Sequence, residues 1–194
     1  AASSSSYGDH QLLPKVEGTI GNPLSPYAVS KLVNELYAQV FYKTYGTPII
    51  GLRYFNVFGP KQSPNGAYAA VIPLFMESLK QNVSPIIHGD GEQTRDFTFV
   101  ENAVQANIRS FFAPKDAINE VYNVACGNRI SLNTLWSHLK SIAGINLSAN
   151  YGPSRKGDVK DSLADISKAK RLLNYNPEFA VKEGIELTWK KFKG

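Results

Sequence analysis

A helix with clear start and stop signals, followed at once by a short apolar run, constrains the fold of this chain more than any other feature. Ser25 is a good N-cap, Pro26 suits the first helical position, and Gly46 suits the helix end. Between them apolar residues recur at three- and four-residue spacings: Val29, Leu32, Val33, Leu36, Val40 and Phe41. We therefore predict an amphipathic helix whose apolar stripe packs on a core. The run 49–54 predicts a buried parallel strand, so this segment is half of a β-α-β unit.

The rest of the chain alternates between short strands and amphipathic helices. Residues 56–66, rich in Gly, Pro and Asn, predict a loop, and a helix over 69–81 is expected to be interrupted by Pro73. The remaining predicted elements are strands over 85–88, 96–100 and 120–124, and helices over 101–112, 132–143, 166–173 and 181–191. This pattern predicts the α/β fold class.

Composition excludes several kinds of partner. The formal charge of +5 comes from dispersed Lys and Arg, and a solvated helix face explains the short basic cluster at 190–193, so no nucleic-acid partner is predicted. The single cysteine, Cys126, excludes an internal disulfide framework, and no Cys/His group has metal-ligand spacing. No apolar run approaches the roughly 20 residues that span a bilayer. We therefore predict a cytoplasmic protein without a metal site or a membrane partner.

Tyr27 and Lys31 form the most informative local pair. Four residues apart in the first turns of one helix, their side chains lie on the same face. A nearby ammonium favours the phenolate and lowers the pKa of the phenol from about 10, as a catalytic acid/base requires. Taken alone, the pattern also fits a surface tyrosine beside a lysine.

The context of this pair resembles a known family. The segments Ser3-Ser4-Ser5-Ser6-Tyr7-Gly8 and Asn22-Pro23-Leu24-Ser25-Pro26-Tyr27-Ala28-Val29-Ser30-Lys31 are similar to those of extended short-chain dehydrogenase/reductases that act as NAD-dependent nucleotide-sugar epimerases or dehydratases. The resemblance implies that Ser3 hydrogen-bonds the sugar beside Tyr27. It also places Ser5 with Ser3, Tyr27 and Lys31 in the catalytic group. Without that context, the serine run would fit a flexible linker.

The resemblance extends along nearly the whole chain, through Leu52 to Pro60, Gly89 to Phe97 and Ser154 to Asp165. It implies that Arg95 and Arg155 clamp a diphosphate, for which the planar guanidinium fork is suited. The implied NAD-binding residues are Tyr27, Lys31, Tyr54, Phe55 and Val57. The implied substrate-binding residues are Ser3, Ser4, Asn56, Ala70, Val71, Ile86, His88, Arg95, Arg155, Asp158 and Ser162. A role for His88 as catalytic base is not expected.

The implied reaction is epimerisation. Dehydratases of this family carry an Asp-Glu pair where this chain has Ser4 and Ser5, and serine is no general acid or base near neutral pH. The resemblance implies that Tyr27 takes the C4 hydroxyl proton as hydride passes to NAD, and that hydride returns to the other face of a 4-keto sugar. Ser162 stands where a large aromatic narrows the pocket in some members, so the implied substrates are UDP-N-acetylglucosamine, UDP-N-acetylgalactosamine or their uronic acids. A small loop residue unrelated to the pocket remains the alternative for Ser162.

We expect the C-terminal part of a Rossmann-like doubly wound parallel sheet plus a smaller mixed α/β substrate-binding domain. The predicted division is 1–65 for the remainder of the NAD-binding domain and 66–194 for substrate binding, with about 96–125 returning to the sheet. A glycine-rich dinucleotide turn is missing, so the N-terminal Rossmann half is expected to be absent and the fragment alone to be inactive. The family resemblance also implies a homodimer. The alternatives are a UDP-glucose 4-epimerase, another nucleotide-sugar dehydratase or epimerase, and a non-catalytic fragment that binds sugar nucleotides.

Overall fold

The chain folds into α-helices and short, mainly parallel strands. A computed structural model describes residues 1–65, 70–154 and 159–192. Its helices are Pro26–Tyr45 (α1), Val71–Gln81 (α2), Val100–Phe111 (α3), Leu132–Ala143 (α4), Ser167–Leu173 (α5) and Val181–Phe192 (α6). Its strands are Ala2–Ser3 (β1), Ile50–Tyr54 (β2), Val57–Phe58 (β3), Ile86–His88 (β4), Thr94–Arg95 (β5), Thr98–Phe99 (β6), Glu120–Val124 (β7), Ile130–Ser131 (β8) and Asn150–Gly152 (β9). Within these ranges we find no helix with the length and apolar character needed to cross a membrane.

A three-stranded parallel sheet forms the N-terminal region. Its strand order is β1-β2-β7, with Ala2 opposite Arg53 and Ile50 opposite Glu120. Helix α1 connects the parallel strands β1 and β2, as in a β-α-β unit. The predicted strands over 49–54 and 120–124 and the predicted α/β class are confirmed.

The ends of α1 follow the local signals. The Ser25 hydroxyl accepts a hydrogen bond from the Ala28 amide at 3.1 Å, which satisfies one of the free donors of the first turn. Gly46 adopts the left-handed conformation, with φ of +68°, and its amide closes the last turn on Tyr42. The predicted bounds of this helix are confirmed.

The apolar stripe of α1 does not pack on a core within the described residues, so that prediction is wrong for this part of the chain. The buried residues of the helix are Ala28 and Glu35, whereas Val29, Leu36 and Val40 are 48%, 52% and 55% exposed. The helix contacts β1, the following 3-10 turn and β2. Periodicity identifies an apolar face but does not identify what covers it.

Other differences are small. The predicted loop 56–66 contains β3, which pairs in parallel with β6. The predicted strand over 96–100 is shorter, because Asp96 precedes β6 and Val100 begins α3. Pro73 lies in the first turn of α2 and does not interrupt it, since an amide there has no partner within the helix.

The main apolar cluster, which we call the aromatic core, lies between α2, α4 and α6. Its buried members are Phe58, Ile72, Phe75, Met76, Leu79, Ile87, Phe97, Phe99, Leu135, Trp136, Leu139, Val181, Ile185 and Trp189. A smaller cluster, around Tyr122 and Val124, lies between the parallel sheet, α3 and α5.

Candidate active site

The serines at the end of β1 form a tight turn, here called the serine turn (residues 3–7). Ser3 caps a 3-10 turn over Ser4–Tyr7, and its hydroxyl accepts a hydrogen bond from the Ser5 amide at 3.2 Å. The buried Tyr7 hydroxyl donates to Asn123 Oδ1 of β7 at 2.7 Å. This long-range contact fixes the serine turn to the parallel sheet.

Tyr27 and Lys31 lie at the start of α1, on one face as the spacing predicts. The Lys31 ammonium lies 5.6 Å from the centre of the Tyr27 ring. The Tyr27 side chain is 56% exposed. Because α1 contacts both β1 and the serine turn, this pair is carried on the element that packs beside Ser3.

A buried ion pair links the same elements. The Arg53 guanidinium of β2 donates to both carboxylate oxygens of Glu35 on α1, at 2.9 and 2.7 Å, in the paired geometry that makes such contacts strong. Arg53 and Glu35 are 3% and 5% exposed. The guanidinium also lies 4.8 Å from the centre of the Tyr7 ring and donates to the Glu17 carbonyl at 3.0 Å. One group therefore joins α1, β2 and the serine turn.

A cavity of about 240 Å³, here called the serine cavity, lies beside the serine turn. It brings together six of the residues predicted for the site: Ser4, Ser5, Phe55, Asn56, Arg95 and Ser162. Ser162 is 9% exposed, and its amide donates to the Thr94 carbonyl at 3.1 Å. Serines that are distant in sequence thus line one cavity.

A second cavity of about 510 Å³, here called the strand-edge cavity, lies between α2 and β4. The predicted residues that line it are Asn56, Val57, Ala70, Val71, Ile86, His88 and Arg95. Asn56 and Arg95 line both cavities. Asn56 has φ of +38°, and its side-chain amide nitrogen donates a hydrogen bond to the Asp96 carbonyl at 3.1 Å. The two cavities therefore meet at one amide and one guanidinium.

Other predicted residues lie apart from these cavities. Ser3, Tyr27 and Lys31 do not line either cavity, although they belong to adjoining elements. The Tyr54 hydroxyl donates to Asn107 of α3 at 3.0 Å, and burial raises the pKa of Tyr54. Arg155 and Asp158 lie outside the described residues.

His88 is oriented by the backbone. Its Nδ1 lies 3.1 Å from the carbonyl oxygen of Pro153, and its own carbonyl accepts a 2.6 Å hydrogen bond from the Gln93 side chain. These contacts hold the end of β4 at the rim of the strand-edge cavity.

Asp96 is a buried residue beside the candidate site whose contacts the sequence did not predict. Its carboxylate is fully buried and accepts hydrogen bonds from the amides of Cys126, Gly127 and Ala164 at 3.0 to 3.2 Å. Burial raises the pKa of Asp96 to about 7. Asp96 follows Arg95 directly, so it anchors the guanidinium's segment to two distant loops. An isolated acidic residue beside Arg95 gives no sequence signal for such a hub.

The serine turn, the Tyr-x-x-x-Lys helix and the parallel sheet together define a Rossmann-type α/β protein of the extended short-chain dehydrogenase/reductase kind. The chain belongs to the family described as GDP-mannose 4,6 dehydratase, which matches residues 1–188.

Several similar proteins are named UDP-sugar 4-epimerases, which confirms the resemblance noted in the sequence. A UDP-N-acetylglucosamine 4-epimerase from Methanobrevibacter ruminantium, solved with UDP-N-acetylmuramic acid, is 40% identical with a TM-score of 0.93 over 98% of this chain and 61% of that one. A UDP-glucuronic acid 4-epimerase from Bacillus cereus, solved with UDP-glucuronic acid and NAD, is 34% identical, with a TM-score of 0.90 over 99% of this chain and 60% of that one. A UDP-glucuronate 4-epimerase from Thermodesulfobacterium geofontis is 38% identical over 89% of this chain and 52% of its own length. The chain thus spans roughly half to three fifths of the relatives that it matches.

Proposed function

We propose that this chain is the substrate-binding and proton-transfer part of an NAD-dependent 4-epimerase for a UDP-sugar, with an N-acetylated hexosamine or its uronic acid as the sugar. The observation that carries the proposal is that the serine cavity and the strand-edge cavity meet at Asn56 and Arg95. A sugar nucleotide has the same three-part layout, with a diphosphate between a base and a sugar.

The strand-edge cavity suits the uridine. Its lining is mainly apolar, and the edge of β4 at Ile86 and His88 offers backbone groups to a base. The diphosphate would then lie at the junction of the two cavities, where the Arg95 guanidinium, whose Nη1 also donates to the Thr94 and Lys160 carbonyls, and the Asn56 side-chain amide can donate hydrogen bonds to its oxygens. The sugar would occupy the serine cavity, between the serine turn and Ser162.

Proton transfer is assigned to Ser3, Tyr27 and Lys31. We propose that Tyr27 holds the proton at the sugar's C4 oxygen, that Ser3 orients this oxygen, and that the Lys31 ammonium, 5.6 Å from the centre of the Tyr27 ring, positions the phenol. The described residues fit the nicotinamide end of NAD at the start of α1, where Tyr27 is exposed and Lys31 is half-buried, whereas the Phe55 ring is fully buried against Tyr7. NAD, when bound, supplies hydride acceptance and return at C4.

The chemistry of the serine turn favours epimerisation over the dehydration in the family description. Removal of water from the sugar needs an acid and a base near C5 and C6. Ser4 and Ser5, which line the serine cavity, offer hydroxyls in place of carboxylates. Asp161 also lines this cavity, but its carboxylate is bound by Thr94 at 2.6 Å and by Arg129 at 3.3 Å.

Three further parts of the proposal concern organisation. We propose the division into residues 1–65 and 66–194, with about 96–125 returning to the sheet. We propose a homodimer through the outward side chains of α1, among them Tyr37, Phe41 and Tyr42, which are 40% to 63% exposed. We propose a cytoplasmic location, which the single cysteine supports.

The proposal is tested with the full-length protein that contains this chain. Purified protein with NAD should interconvert UDP-N-acetylglucosamine and UDP-N-acetylgalactosamine, followed by proton NMR of the anomeric signals. Tyr27→Phe should lower kcat by roughly 10²- to 10⁴-fold, the usual contribution of an acid/base residue. Tyr45→Phe, 70% exposed on the same helix, is the matched control and should keep wild-type activity. A 4-keto-6-deoxy product would identify a dehydratase instead.

The preference for an N-acetylated sugar is tested at Ser162. Ser162→Tyr should fill the serine cavity, abolish turnover of the N-acetylated sugar and spare UDP-glucose. Ser137→Tyr on the exposed side of α4 is the control for the added aromatic ring. Equal loss on both sugars would refute the assignment of Ser162.

A further inference from the structure

Lys15 lies in a segment that pairs with the chain around Ser162. The Lys15 amide donates to the Leu163 carbonyl at 2.7 Å, and the Asp165 amide donates to the Lys15 carbonyl at 3.0 Å. These bonds make a parallel bridge between Lys15 and Ala164. Bridged residues point to the same face, and residues two apart along an extended chain share a face. The Lys15 side chain therefore lies on the same face as Ser162.

The Lys15 ammonium is buried without a counter-charge among the described residues. The residue is 4% exposed, and its Nζ donates a hydrogen bond to the His10 carbonyl. The described ion pairs involve Arg53, Arg129 and Lys168 and leave Lys15 without a carboxylate. Burial accordingly lowers the pKa of Lys15. A buried cation with one carbonyl partner costs stability, so packing alone does not explain a lysine here.

The lysine lines a cavity that also holds a buried hydroxyl with no hydrogen-bond partner in the part of the chain that the structure describes. Lys15 lines the serine cavity together with Ser5, whose hydroxyl oxygen is buried and makes no hydrogen bond among the described residues. The nearby Asp161 carboxylate is already bound by Thr94 and Arg129. An ammonium has three donors, and a serine hydroxyl has one. The cavity therefore offers a positive charge and hydroxyl donors to a ligand that brings negative oxygens.

We propose that Lys15 recognises a carboxylate on the sugar, so that the preferred substrate is a UDP-hexosaminuronic acid and not the neutral sugar. This inference rests on the proposed function, because it places the sugar in the serine cavity. Lys15 is the specificity-determining residue, and Ser5 supplies a hydroxyl to the same group. The small Ser162 leaves room beside the ammonium for the substituted ring.

The test compares two substrates that differ in one group, UDP-N-acetylglucosamine and its C6 carboxylate, UDP-N-acetylglucosaminuronic acid. Binding is measured by calorimetry and turnover by NMR on the full-length protein. The wild type should bind the uronate at least tenfold more tightly than the neutral sugar. Lys15→Met should remove that preference: the Kd for the uronate should rise at least tenfold, and the Kd for the neutral sugar should change less than twofold. Lys15→Arg should retain a measurable preference for the uronate.

Lys182→Met, which removes one exposed charge from α6, is the control for net charge and should behave as the wild type. Lys15→Met should also have a melting temperature equal to or above that of the wild type, which a structural lysine would not allow. If Lys15→Met does not fold, Lys15→Gln takes its place with the same expected split between substrates. An equal loss of affinity for both sugars in Lys15→Met, or a wild-type preference for the neutral sugar, would overturn the role of Lys15 and leave the proposed function standing. Failure of the wild type to bind either sugar would overturn the proposed function as well.

Discussion

The N-terminal sheet region and the aromatic core are stabilised by different interactions. Around the parallel sheet and α1, buried side chains include Arg53, Glu35, Lys15 and Asn123, and the apolar residues of α1 are largely exposed. In the aromatic core, the buried side chains between α2, α4 and α6 are apolar and make tilted ring contacts such as Phe75 with Trp136. The difference indicates that directional contacts position the residues proposed for proton transfer, whereas apolar burial supports the strand-edge cavity.

Breaking the buried ion pair should have the largest effect on stability. Arg53→Met leaves the Glu35 carboxylate buried without a partner and should lower the free energy of unfolding by about 4 kcal/mol, measured by urea denaturation. The double variant Arg53→Met/Glu35→Met should recover most of this loss, because no charge stays buried. Lys168→Met breaks the more exposed pair with Glu120 and should cost at most about 1 kcal/mol. Equal costs for the two single variants would contradict the comparison.

A cavity in the aromatic core should have the next largest effect. Leu139 of α4 is fully buried, so Leu139→Ala should lower the free energy of unfolding by about 3 kcal/mol. The matched control is Leu12→Ala, because the Leu12 side chain is 73% exposed. This control should change the free energy of unfolding by less than about 0.5 kcal/mol. A small loss at Leu139 would mean that the core relaxes around the deletion.

Stability should depend on pH through Lys15. Because burial lowers its pKa, the folded chain releases this proton before the unfolded chain, whose lysine titrates near 10.5. The unfolded state then binds more protons, so the free energy of unfolding should rise with pH in the window below 10.5. Lys15→Met removes this rise and should increase the free energy of unfolding at pH 7. The increase should be smaller than the losses expected for Arg53→Met and Leu139→Ala. Urea denaturation at pH 7, 8.5 and 10 measures the free energy of unfolding of both proteins. A destabilised Lys15→Met variant would indicate that Lys15 has a structural role.

The smallest effect is expected on the open face of α1. Leu36 is 52% exposed, so Leu36→Gln should change the unfolding free energy of the isolated chain by less than about 0.5 kcal/mol. If α1 forms the proposed dimer, the same substitution in the full-length protein should weaken self-association in sedimentation experiments. Loss of more than 1 kcal/mol in the monomeric chain would mean that the stripe packs internally after all.

Local signals carried most of the secondary structure. The predicted helix from Pro26 to Tyr45, with its Ser25 cap and Gly46 stop, and the predicted α4 match the structure residue for residue, because caps and spacing act within a few residues. Short strands such as β3 and β5 were missed or shifted. A two-residue strand depends on its distant partner and has no periodicity of its own.

The relative placement of candidate-site residues was predictable where they belong to one local sequence pattern. It was not predictable where distant segments pair to bring them together. The sequence by itself determined that Tyr27 and Lys31 share a helix face and that Ser25 and Gly46 bound this helix. Only the tertiary structure decided that Asn56 and Arg95 join two cavities and that the apolar stripe of α1 is left open. It also paired Lys15 with Ala164 and brought Lys15 and Ser162 to the same cavity, although they are distant in sequence. The physical reason is that helix geometry repeats within one turn, whereas contacts between distant segments depend on how whole elements pack.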